Sequence, residues 1–366
     1  MERLAEGFVF LGRKIPSTPF TNFWVNKLFI IICLSNFSCA ATPIESRREK
    51  QQEFWPAPPE QARYRYIMSI HSSDDVRLKN GTERFQEILT GKNKPAYILN
   101  RPLDIAVKQG IIYLLDSVSP LVHVFDLQRR QYFNFGFRFE GKLSKPVSIS
   151  VDQNGLVYVA DRGRNSIIIY DSFGLYIYHI SLDNITRQIS GITTDPTGNF
   201  IYVVDRGGVD SGLHQVIKFD KQGQLIKRWG GRGRAIGEFN LANDIIMDNQ
   251  GLLYVLDAGN FRVQVFDNDG DPVRSWGSAG DGLGQFGLPK SISVDAQNNI
   301  YVSDAQFGNI QIFTTDGKLL MPIGQLSNIN TAGKYSLING ITVDEKGYLY
   351  VLDQFYKKLE IFKKIT

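Results

Sequence analysis

Two columns of residues recur along the chain at spacings that chemistry could use. Six aspartates, Asp116, Asp161, Asp205, Asp257, Asp304 and Asp353, each close a five-residue signature of the form aliphatic-Tyr-aliphatic-x-Asp. Brought together, six carboxylates would suggest a metal ring. A carboxylate that ends a strand also accepts backbone N–H bonds from the following turn, and its recurrence in every copy favours that architectural role. The second column precedes a repeated isoleucine and reads Asp104, Ser148, Gly191, Asp244, Ser291 and Gly340. Its two aspartates lie three repeats apart and could jointly hold a hard cation such as Ca2+. Such an ion takes six or more oxygen ligands. Two carboxylates and two serines are too few, so turn capping is the competing reading.

Other chemistries have little to build on. His71, His123, His179 and His214 are scattered, and none occupies the second column, which argues against a histidine-ligated catalytic metal. There is no Gly-x-Ser-x-Gly elbow. The only cysteines are Cys33 and Cys39, so the chain after Ala40 has no structural disulfide, thiolate zinc site or cysteine nucleophile. Gly280, Gly282 and Gly284 resemble a nucleotide loop only superficially. The pattern recurs around 231–237 and leads into a strand rather than a helix, as a connector would.

The elements that must position these residues follow from the repeat itself. The signature tyrosines, Tyr113, Tyr158, Tyr202, Tyr254, Tyr301 and Tyr350, stand 44 to 52 residues apart. Each copy reads as four short strands. Strand a holds the repeated isoleucine (Ile105, Ile149, Ile192, Ile245, Ile292, Ile341), and strand b is the signature. Strand c is a Val/Ile/Phe-rich element some six residues later, or eleven in the third copy, and strand d follows a glycine turn. The a–b and c–d connections are tight Asp/Asn/Gly turns, as at 152–155 and 267–270. Strand b is apolar on both faces, as a small sheet sandwiched between neighbours requires. Four strands in about 45 residues match a β-propeller blade, and six copies make an all-β, six-bladed propeller. The last copy ends without a strand d, while residues 64–70 (YRYIMSI) form a strand with no unit of its own. That segment is expected to complete blade six and close the ring, removing an open sheet edge.

At this point the chain resembles the NHL-repeat family of six-bladed propellers. The resemblance rests on Ala258-Gly-Asn-Phe-Arg-Val-Gln-Val-Phe266 and Gly282-Leu-Gly-Gln-Phe-Gly-Leu-Pro289, and extends over about 101–366. It implies the fold closely and the function only broadly. The family includes protein- and RNA-binding scaffolds, and related propellers are lyases or lactonases. No copy here has the family's frequent histidine after the loop asparagine, which puts any histidine-dependent role in doubt.

In a propeller the b–c and d–a loops share the face around the channel mouth, where a rigid scaffold presents binding residues. Blades two to four place Arg162, Arg164, Arg206, Arg232 and Arg234 there, and blades five and six place Phe307, Phe355 and Tyr356. Arg262 is set aside because a residue just before strand c often packs within the blades. A basic arc beside an aromatic arc suits an anionic polymer or an acidic protein surface. The 366 residues are 43% apolar and 21% charged, with a net charge of only +4. That composition excludes a disordered or polytopic membrane chain and does not call for nucleic acid.

The first 62 residues read differently. Residues 28–34 (LFIIICL) follow Lys27 and precede small residues, the pattern of a secretory signal and too short to span a bilayer. The signal core is 25–40, and residues 1–24 read as a mis-called extension before a start at Val25. Cleavage after Ala40 or Ala41 would release a soluble protein, whereas Cys39 resembles a lipidated lipoprotein cysteine. Residues 41–62 read as a polar, proline-bearing tether and 63–366 as the propeller. The expected protein is an exported, non-catalytic, monomeric scaffold for another exported protein or an anionic polymer. It would touch membrane only through its leader or lipid. The alternative is a lactonase- or lyase-like enzyme with a cation at Asp104 and Asp244.

Overall fold

The computed structural model describes residues 53–79, 81–91, 95–208 and 210–365. The leader, Val25, Cys39 and the first part of the tether lie outside the described residues. The six signatures become six central strands. Strands a to d run 102–108, 111–116, 121–126 and 131–135 in blade one, and 146–151, 157–161, 166–170 and 176–181 in blade two. In blade three they run 189–194, 200–205, 215–220 and 225–230, and in blade four 244–247, 253–257, 262–266 and 272–276. Blade five spans 289–294, 300–304, 309–313 and 319–323. Each blade is an antiparallel sheet paired in the order a–b–c–d.

Blade six has strands a to c at 338–343, 348–353 and 358–364, and its fourth strand comes from the other end of the chain. Tyr64–Ile70 pairs antiparallel with Lys358–Lys364, setting Tyr64 opposite Lys364 and Ile70 opposite Leu359. The expected closure is therefore present. The sheet goes one strand further than the sequence suggested. Residues 53–62, assigned above to the tether, include Phe54–Trp55, which pairs with Arg65 and Tyr64. The Trp55 ring meets Phe362 edge-on with centroids 5.0 Å apart, so apolar contact extends the sheet ahead of position 63.

Packing explains the apolar signature. Every residue from Ile112 to Asp116, and its counterparts in the other b strands, is buried. Six hydrophobic clusters lie one between each pair of adjacent blades. In one, Tyr350 and Leu352 of blade six pack with Ile105, Ile112 and Leu114 of blade one, and in another Tyr202 and Val204 meet Ile245 and Val255. The signature tyrosine is also tied to its own blade. Tyr158, Tyr254, Tyr301 and Tyr350 donate to Asp152, Asp248, Asp295 and Asp344 of the a–b turns at 2.9 to 3.1 Å. Outside the blades, Gly81–Thr90 forms a helix with none of its described side chains buried, an element the sequence did not suggest. Among the described residues no helix is long and apolar enough to cross a membrane.

Closure should carry measurable stability. Ile70 is fully buried on the closing strand while Ile67 is 38% exposed. Ile70→Ala is expected to lower unfolding free energy by about 2–5 kcal/mol in urea titrations, and Ile67→Ala by far less. Equal effects would mean that the strand does not carry the closure.

Candidate functional site

The signature aspartates are structural anchors for the loop face. Asp116 accepts from the backbone N–H groups of Asn100 and Arg101, ahead of strand a, and from those of Val118 and Ser119 in the b–c loop, at 2.7 to 3.2 Å. Asp161 repeats the pattern with Ser144, Lys145, Gly163 and Arg164. Asp205, Asp304 and Asp353 likewise take N–H groups from both loops of their blades. Asp257 is the variant. It accepts from the Asn240 backbone and from the side chains of Asn260, Arg262 and Gln264. Each carboxylate is fully buried and saturated with donors, so the capping role is the one observed.

The second column forms a ring at the inner edge of the blades, and hydrogen bonding explains its Asp-Ser-Gly order. Asp104 Oδ2 accepts from Ser148 Oγ at 2.7 Å and the Ile149 N–H at 2.9 Å, both in the next blade. Ser148 Oγ then receives the Ile192 N–H of the blade after, at 3.3 Å. Gly191 follows because a Cβ there would lie 2.9 Å from Asp244 Cα. The other half repeats this. Asp244 Oδ2 accepts from Ser291 Oγ at 2.8 Å and the Ile292 N–H at 2.9 Å, Ser291 Oγ receives Ile341, and a Cβ on Gly340 would sit 2.8 Å from Asp104 Cα. The remaining oxygens accept the N–H of Ile105 and Ile245. All four carboxylate oxygens thus cap backbone or serine donors. Among the described residues, no group of three or more His, Cys, Asp or Glu side chains converges as metal ligands would.

Burial, then the neighbouring Asp104 charge, pushes the Asp244 carboxyl up to about 7, and burial raises Asp104 as well. Two buried like charges in one ring disfavour the ionisation of both.

Asp104, Ser148, Asp244 and Ser291 line two hollows. One, of about 170 Å³, is the channel between the six a strands. The other, of about 400 Å³, opens on the loop face, with the ring as its floor. Its wall holds five cations: Arg101, Lys145, Arg162, Arg206 and Lys290. Arg162 is fixed by Nε and Nη2 bonds to the Ile189 carbonyl at 3.1 and 2.7 Å. Burial, followed by the charge of Arg206, pulls both Arg162 and Lys290 below their ordinary values.

Of the residues expected on this face, Arg162 and Arg206 come together here. Arg164 binds the Glu140 and Lys142 carbonyls beside a separate surface hollow. Arg232 and Arg234 are exposed on the loop entering blade four. Arg262 packs under that same loop, donating to the Arg234, Ala235 and Glu238 carbonyls. The aromatic arc is only partly presented. Phe355 is 65% exposed, whereas Phe307 and Tyr356 are half-buried and Tyr356 donates to the Ser327 carbonyl. The histidines serve their blades, with His123 bonded to Tyr132, His179 to Tyr176 and His214 to the Leu241 N–H. Sequence reasoning missed Arg101, Lys145 and Lys290. The signal for Arg101 and Lys145 was positional, since both stand three residues before a ring position, whereas Lys290, one before, carried none.

The architecture defines a six-bladed β-propeller with a ligand-sized hollow at its mouth. The NHL repeat profile matches residues 143–170 and 239–266, the first three strands of blades two and four. No curated protein matches the sequence. Solved structures do. A protein of unknown function from Bacteroides thetaiotaomicron aligns with a TM-score of 0.57 at 16% identity, covering 72% of this chain and 70% of that one. An auxiliary nutrient binding protein from the same organism gives 0.56 at 14%, covering 72% and 69%. A streptogramin B lyase gives 0.52 at 13%, covering 73% and 94%. These likenesses concern the fold.

Two outcomes test the ring. Gly340→Ala, which drives a methyl against the Asp104 backbone, should cost about 1–3 kcal/mol in chemical denaturation; an unchanged midpoint would contradict the close approach. The raised Asp244 makes the folded state hold a proton that the unfolded chain releases above its ordinary 3.8. Stability should therefore fall as pH rises from about 4 to 7, and Asp244→Asn should flatten that slope in urea midpoints measured across the window.

Proposed function

We propose that this protein is an exported, non-catalytic propeller scaffold that binds an acidic surface of another exported protein through its loop face. One observation carries the reading: five cationic side chains surround a single hollow on the face where the rigidly anchored loops meet. The acids that line the hollow, Asp104 and Asp244, are engaged by ring donors, so the charge its wall offers a ligand is positive. Arg232 and Arg234 extend the basic character outward over the d–a loop of blades three and four. Electrostatic complementarity of this kind steers encounter and selects partners of opposite sign.

Export rests on the apolar run at 28–34, its basic flank and the small residues after it. Two fold neighbours come from Bacteroides thetaiotaomicron, and one of them is an auxiliary nutrient binding protein, which is compatible with a binding role.

The test is cross-linking capture from the cell envelope with the full chain, comparing wild type with a variant carrying Arg164, Arg232 and Arg234 changed to Ser. A partner band that weakens in the variant and with added salt is expected. A chain found only in the cytoplasm, or capture indifferent to both changes, would overturn the proposal.

A further inference from the structure

Below the rim, the hollow at the channel mouth is walled by hydrogen-bond donors that have no acceptor. Arg162 spends Nε and Nη2 on the Ile189 carbonyl, which orients the guanidinium and leaves Nη1 without a protein partner among the described residues. Arg206 makes one long contact, Nη1 to Asn243 Oδ1 at 3.5 Å, and its buried Nε has none. The Lys290 ammonium donates to no described protein oxygen, although its own carbonyl is held by Asn243 Nδ2. Gln354 is only 9% exposed, and its Nε2 also lacks a partner. All four side chains line the one hollow.

Leaving a buried donor unpaired is costly, more so for a charged one, and in this hollow Arg206 Nε and Gln354 Nε2 are such donors. Here three cations are packed closely enough that Arg206 disturbs both Arg162 and Lys290. A fold keeps such a cluster at low cost when an anion completes it. Guanidinium and ammonium groups around a concave site match the oxygens of phosphate and carboxylate.

We infer that the channel-mouth hollow binds a compact oxyanion, a phosphate or carboxylate group carried by a small ligand, through Arg162, Arg206, Lys290 and Gln354. The volume of about 400 Å³ is that of a small-molecule site. The floor sets the direction of approach, since the Asp-Ser-Gly ring separates the hollow from the narrower channel and admits the ligand only from the loop face. The acids that line the hollow are Asp104 and Asp244 of the floor, and their oxygens are already engaged by ring donors. This inference rests on the loop face being the binding face, and it names the chemical group that enters its centre.

The experiment is calorimetric titration of the full chain with inorganic phosphate and, separately, with citrate, at ionic strength held constant by sodium chloride. Saturable one-to-one binding of at least one anion is expected, and the two arms distinguish phosphate from carboxylate as its source. Arg206→Gln and Lys290→Gln should each weaken binding about tenfold, a loss of the order of 1.4 kcal/mol, while Lys318→Gln, exposed on the c–d turn of blade five, leaves it unchanged. Lys290→Gln removes an ammonium with no structural bond, so it keeps the test decisive should Arg206→Gln fail to fold. No saturable binding of either anion would overturn the inference, as would a Lys318→Gln loss equal to that of Arg206→Gln. No partner protein is present in this assay, so its failure and the failure of envelope capture are separately readable.

Discussion

A buried carboxylate at the end of each central strand holds the loop face together. It faces backbone N–H groups from two directions, the loop arriving at strand a and the loop leaving strand b, and ties them to one point. Without it those donors would be buried and unpaired, a cost that recurs in every blade. With it, the loops lose their independence and move with the sheet. The hollow at the mouth is therefore a property of the scaffold, since its wall is built from residues that flank these anchors, such as Arg162 and Arg206 immediately after Asp161 and Asp205.

The second set of ties runs sideways. The ring from Asp104 through Ser148 and Gly191 to Asp244, and from there through Ser291 and Gly340 back to Asp104, links every blade to the next. Aspartate accepts from the following blade, serine both donates and accepts, and glycine gives up its side chain so that the next aspartate can approach. The same economy shapes the electrostatics. The ring carboxylates are consumed by donors of the protein itself, whereas several cations are left facing the hollow. A chain of net charge +4 thereby presents a hollow far more basic than its composition indicates.

Much of the fold was legible because each blade repeats a local pattern. The period, the tight turns and the unpartnered segment at 64–70 all pointed to a closed ring of six. What occurs only once was not legible. The helix Gly81–Thr90 and the short strand Phe54–Trp55 have no second copy to expose them, and a proline-bearing polar stretch looks the same whether or not a tryptophan in it finds Phe362. Of the candidate site, the arginines that follow the signature aspartates could be found by their column. Lys290 occupies a column whose other members are uncharged, so nothing in the repeat marks it.

The sequence by itself determined the repeat unit, the buried faces and the use of aspartate as a cap, because those depend on contacts within a blade or on a pattern shared by all six. It also determined that the ring must close through the N-terminal strand, since an unpaired edge on blade six would otherwise remain. Only the tertiary structure decided which cations meet. Arg101, Lys145, Arg162, Arg206 and Lys290 belong to four blades and are separated by up to 189 positions. Their charges share one hollow only because closure brings the blades around a common axis, and the ring of Asp, Ser and Gly sets how closely they stand.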